Sequence, residues 1–139
     1  MQITPYLFFK GNCRAAFTRY AEILDLPAPQ IMDFSQLPEA DKANMAGAPE
    51  DAVMHAMLML PSGALMGSDD IGPDVQPMAG CSVNLTVATA QEANRIFDAL
   101  AEGGEIRMPL AETFWTPAFG TLTDAFGIRW MVMAEAPQG

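Results

Sequence analysis

Few side chains in this sequence can do chemistry, and His55 is its only imidazole. A histidine titrates in the range useful to a general base, and a neutral one can hydrogen-bond a ligand. Strand alternation places His55 on the same face as Met57 and Met59, opposite Ala56, Leu58 and Leu60. Three roles stay open: a histidine satisfied by backbone, a ligand-binding group, or a weak catalytic candidate. A Ser-His-Asp set can be drawn from Ser68, His55 and Asp69, but nothing in the sequence sets its geometry. Asp69 and Asp70 look like paired carboxylates. As neighbours on an extended chain they point to opposite faces, so they read as loop acids. Cys13 and Cys81 have no metal-type spacing, and both read as small buried apolar residues.

The other candidates are softer. Met57, Met59, Met66, Met131 and Met133 fall on corresponding strand faces, where flexible thioethers would line an adaptable apolar cup, an interior or a subunit interface. Ser82, Asn84 and Thr86 would supply a polar side to the same cup. Phe114, Trp115 and Phe119 would stack over a ligand at its rim, or else pack in a core or dimer contact.

These residues need a sheet to hold them. Ile3 to Phe9 is a continuous apolar run, read as a strand buried on both faces. Asn12 offers an N-cap, and Ala15, Ala16, Phe17, Tyr20, Ile23 and Leu24 follow with helical spacing. A short strand fits Ala28 to Phe34. Gln36 to Glu50 is the least regular stretch, an exposed excursion. Val53 to Leu60 and Ala64 to Ser68 read as a hairpin around Pro61-Ser62-Gly63. Ile71 to Gly80 has linker composition.

The order then repeats. Cys81 to Val87 alternates, with Val83, Leu85 and Val87 on one side. Thr89 and Glu92 form a capping box before the stripe Ala93, Ile96, Phe97 and Leu100, and Gly103-Gly104 stops that helix. Strands follow at Glu105 to Leu110, Thr116 to Thr123 and Ile128 to Ala134, with Asp124 making the last turn through its side-chain oxygen. Laying Pro5 over Ser82 and Met66 over Met131 superposes two β-α-β-β-β patterns. The predicted fold is α+β: two βαβββ modules forming a curved mixed sheet around a cleft. The modules span 1–70 and 81–136 of a single 139-residue domain, joined by a linker at 71–80.

Composition narrows the partners. Half the residues are hydrophobic and 17% are charged, which argues against global disorder. The net charge of -10, with seven scattered basic residues, excludes a nucleic-acid surface and disfavours an anionic membrane. No secretory leader pattern and no bilayer-length apolar run are present, so a cytoplasmic address is expected.

The segments TPYLFFKGNCRAAFTRY, MHAMLML, ALMGSDD and MPLAETFWTPAFGTLTDAFGIRWMV give the chain its family resemblance. It resembles the vicinal-oxygen-chelate superfamily of glyoxalase I and the bleomycin-resistance proteins. Within it, the chain is similar to the PhnB-like branch labelled 3-demethylubiquinone 3-methyltransferase-like. The resemblance implies a homodimer and a small-molecule ligand. It also implies metal ligands of His, Gln or Glu type at Pro5, Met66, Ser82 and Met131, none of which is a usual ligand. Met57 stands where the branch has a Glu after His55-Ala56. No Gly-rich strand-to-helix turn for a methyl donor is present.

The expectation is therefore a small-molecule-binding protein without metal or cofactor, using His55, Met57, Met66, Ser82, Asn84, Phe114, Trp115, Phe119 and Met131. Two alternatives stay open. One is a superfamily enzyme with His55 as base or an unrecognised metal site, and the other is an interaction module with no ligand.

Overall fold

The computed structural model describes residues 1–42 and 47–136. The chain divides into two compact units, Met1–Val75 and Gln76–Gly139.

In the first unit, β1 (Tyr6–Phe9) leads into α1 (Cys13–Ile23) and β2 (Gln30–Asp33). A 3-10 turn at Phe34–Gln36 and the short α2 (Glu39–Lys42) interrupt the predicted excursion, whose residues 43–46 lie outside the described ones. The hairpin of β3 (Val53–Leu60) and β4 (Gly63–Asp69) completes the sheet. Strand order is β1-β4-β3-β2, with β1 parallel to β4 and the other pairs antiparallel.

Alternation decides which face is covered. Leu7, Phe9, Ala56, Leu58 and Leu65 are buried beneath Ala16, Phe17 and Tyr20 of α1. Each large apolar side chain removed from water contributes about 1.5–3 kcal/mol, so this layer holds the unit together. Gly67 lies under the helix because a Cβ there would stand 2.8 Å from the Leu7 carbonyl oxygen and 2.9 Å from the Phe17 ring. Tyr6 and Phe8 point the other way and are exposed. The expected strand with two buried faces is thus covered on one, because the helix reaches only one side of the sheet.

Asp69 overturns the loop-acid reading. It ends β4, is 7% exposed, and accepts backbone hydrogen bonds from Gly11 (3.1 Å), Cys13 (3.0 Å) and Val53 (2.9 Å). A carboxylate at a helix N-terminus satisfies donors the helix cannot. Asn12 does occupy the N-cap position, yet its side chain makes no capping bond. Asp69, distant in sequence, does that work. The Ser-His-Asp set fails for the same reason: its carboxylate is committed to three amides.

The second unit repeats the plan with β5 (Val83–Val87), α3 (Ala90–Ala101), β6 (Glu105–Ala111), β7 (Phe119–Thr123) and β8 (Arg129–Ala134). Its order, β5-β8-β7-β6, again pairs the first strand in parallel with the last. Ala93, Ile96, Phe97 and Leu100 of α3 pack against Leu122, Trp130 and Val132. Thr89 accepts from the Glu92 amide, one half of the expected capping box. Asp124 closes the β7–β8 turn, accepting from the amides of Phe126 and Ile128 and the Trp130 indole. Thr116 precedes β7 rather than opening it, because its hydroxyl is turned onto the carbonyls of Ala118 and Ala134.

The register corrects one superposition. Tyr6 pairs with Met66, and Asn84 pairs with Met131. With Met66 over Met131, Asn84 therefore corresponds to Tyr6, and Pro5 falls over Val83 rather than Ser82. Cys13 is buried as expected, whereas Cys81 is exposed because it precedes β5; both are free thiols. Among the described residues no helix is long and apolar enough to cross a membrane.

Candidate functional site

Each sheet has one face turned away from its helix, and the candidate residues sort onto those faces. On the first sheet, Met57 lies directly across from Met66, which pairs in turn with Tyr6. His55 shares this face two residues before Met57, and Met32 is its partner on β2. The Tyr6 hydroxyl lies 3.2 Å from His55 Nδ1, with the two rings 5.8 Å apart. Phe8 stands beside Tyr6 at 5.3 Å and is 59% exposed. His55 thus sits beside a phenol, inside a patch of thioethers and aromatic rings.

That pairing has a chemical consequence. A neutral imidazole carries one proton, and the partner of one nitrogen sets where it resides. Where the phenol donates to Nδ1, the proton stays on Nε2 as a donor directed away from Tyr6; where it accepts from Nδ1–H, Nε2 is the acceptor. In the first tautomer His55 is equipped to hydrogen-bond an acceptor, in the second a donor. Service as a base requires the second. Tyr6 escaped the sequence reading because it belongs to a strand far from His55 in the chain. Its place in the apolar run was the only signal.

On the second sheet, Asn84 and Thr86 face outward and lie 3.4 Å apart through Asn84 Nδ2 and Thr86 Oγ1. Asn84 pairs with Met131, which pairs with Thr121; Thr86 pairs with Met133, which pairs with Phe119. Met131 therefore lies between two polar side chains, and Met133 between Thr86 and the Phe119 ring. Ser82 lies just ahead of β5 and is half-buried. Trp115 meets Phe119 edge-on at 5.4 Å and Phe114 at 4.8 Å. Phe114 itself is 97% exposed, so it presents its ring to solvent. Arg129 opens β8 on this same face, opposite Thr123, and sequence reasoning passed over it.

The positions implied for metal ligands fit a metal poorly. In the first half the register brings a phenol, already engaged with His55, beside the Met66 thioether. In the second it brings the Asn84 amide beside the Met131 thioether. Hard cations prefer carboxylate and carbonyl oxygens, and zinc prefers imidazole, thiolate or carboxylate. Among the described residues no three His, Cys, Asp or Glu side chains cluster as a metal would require.

This α+β plan of two four-stranded mixed sheets is that of the glyoxalase/bleomycin-resistance fold. A glyoxalase/bleomycin resistance protein from Albidiferax ferrireducens T118 shares it at a TM-score of 0.65 and 10% identity, over 95% of this chain and 96% of that one. More specifically, residues 1–133 match the family model described as 3-demethylubiquinone-9 3-methyltransferase, and the chain belongs to that PhnB-like family. Protein YjdN of Escherichia coli K12 is 31% identical over 138 residues, 95% of this chain and 94% of the relative. The crystal structure of protein PA1353 from Pseudomonas aeruginosa superposes with a TM-score of 0.86 at 44% identity, covering 97% and 98% of the two chains. A putative 3-demethylubiquinone-9 3-methyltransferase, PhnB protein, from Bacillus cereus gives 0.75 at 26% identity, covering 96% and 99%.

Proposed function

We propose that this protein binds small, largely apolar ligands on the open face of each sheet, without a metal ion. The observation that carries the reading is the Tyr6–His55 pair set among Met57, Met66 and Phe8. An adaptable apolar surface with one hydrogen-bonding polar pair matches the make-up of small-molecule sites. Ser82, Asn84, Phe114, Trp115, Phe119 and Met131 are the contacts proposed on the second sheet.

Methyl transfer is not part of the proposal. A methyl-donor site of the doubly wound type needs a parallel sheet and free amides at a helix N-terminus. Here the amides of Gly11 and Cys13 are taken by Asp69. A homodimer and a cytoplasmic address complete the proposal. Exposed Ile106 and Met108 on the edge strand β6 support the first. The two free thiols support the second.

Native mass spectrometry of the protein after incubation with a cell metabolite extract tests this reading. It should yield a dimer carrying a small adduct, with His55→Ala keeping the dimer and losing most of the adduct. A protein that retains no adduct refutes the binding reading. Undiminished adduct in His55→Ala removes His55 from the site.

A further inference from the structure

We infer that Arg129 is an oxyanion receptor, so that the ligand bound on the second sheet carries a carboxylate or phosphate group beside its apolar part. This inference rests on the binding role proposed above and adds the charge of the ligand to it.

The argument begins with a donor left without an acceptor. Arg129 is half-buried, and its Nε is shielded from solvent with no hydrogen-bond partner among the described residues. Buried guanidinium donors are ordinarily satisfied, because an unmade bond costs the full desolvation of the group. Arg14, Arg19 and Lys42 each lie within 3.3–3.4 Å of an acid, so the chain does pair some of its cations. The chain has 17 acidic residues against seven basic ones, so acidic partners are abundant. Among the described residues Arg129 is the arginine whose shielded Nε has no acceptor.

The surroundings agree. Alternation along β8 sends Trp130 and Val132 to the helix and leaves Arg129, Met131 and Met133 on the open face. Thr123 is the cross-strand partner of Arg129, and Thr121 is the partner of Met131. Glu105 pairs with Thr123, one strand further out, yet makes no ion pair with Arg129 among the described residues. Met78 packs against the start of β8 through its sulfur, 3.3 Å from the Arg129 amide. A guanidinium presents Nε–H and Nη–H side by side, a fork that fits two oxygens of one carboxylate or phosphate. The neighbouring thioethers at Met131 and Met133 then take the apolar remainder.

The test uses three probes with the same six-carbon chain: hexanoate, hexyl phosphate and hexan-1-ol, titrated by calorimetry. In the unmodified protein, at least one anion should bind about tenfold or more tightly than the alcohol, as a charge-assisted fork implies. Whichever anion is tighter tells carboxylate from phosphate. Arg129→Gln should bring the anion down to the level of the alcohol, and Arg129→Lys should restore only part of the difference. The Arg129 Nε–H resonance of the unmodified protein should shift on adding the anion, a readout that needs no variant to fold. Equal binding of alcohol and anions overturns the inference while leaving the binding role standing. So does an anion preference that survives in Arg129→Gln. Failure of all three probes to bind defeats the binding role and this inference together.

Discussion

Replacing Asp69 by alanine tests how the first unit is fastened. Its carboxylate holds three backbone amides from three places: the turn before α1, the first residue of α1 and the start of β3. Removing it leaves up to three donors without an acceptor at a site that is 7% exposed. Each buried unsatisfied donor costs about 1–3 kcal/mol, and water entering the cavity recovers part of that. The expected loss is about 3–6 kcal/mol, a large share of the roughly 5–15 kcal/mol typical of a folded domain. Asp69→Asn, which keeps one carbonyl oxygen, should cost about half as much.

Urea denaturation followed by tyrosine emission at Tyr6 and Tyr20 reads this unit, because both tryptophans lie in the other one. Hydrogen exchange should accelerate first at the amides of Gly11, Cys13 and Val53. An Asp69→Ala protein within about 1 kcal/mol of the parent, with those three amides still protected, would refute the reasoning.

Three further outcomes follow from other contacts. Gly67→Ala should destabilise by about 1–3 kcal/mol, since the added methyl meets the Leu7 backbone and the Phe17 ring; an unchanged denaturation midpoint would contradict that packing. Burial, reinforced by the nearby Asp69 carboxylate, pushes the Cys13 thiol from 9.0 up to about 12. Between those values the unfolded chain has lost this proton and the native one keeps it, so stability is intact below about pH 9 and falls as pH rises above it. Cys13→Ala should flatten that alkaline decline. At pH 8 a disulfide reagent should modify exposed Cys81 quickly and reach Cys13 only through unfolding.

The fold was legible wherever one periodicity ruled a segment. Alternation in β3 and β5 and the helical stripe of α3 each follow from a face that must be dry, so both the elements and their orientation could be read. The same rule misled at Ile3 to Phe9. Aromatic side chains kept on an open face look, in one dimension, like core. Asp69 was misread because an acid beside another acid is usually solvated, and its three donors lie far away in sequence.

The site divides in the same manner. The face of His55 follows from alternation alone, whereas its contact with Tyr6 depends on β1 pairing with β4 across most of the first unit. Arg129 carries no pattern at all. Its interest arises from a missing partner, which only coordinates can reveal.

The two halves share a strand order but are buckled differently: one by a carboxylate gripping the root of its helix, the other by Thr116 and Asp124 around its final hairpin. Their fasteners are not copies, so a substitution that strengthens one has no counterpart at the matching place in the other. A designer wishing to harden this protein must therefore read each repeat for its own clasp.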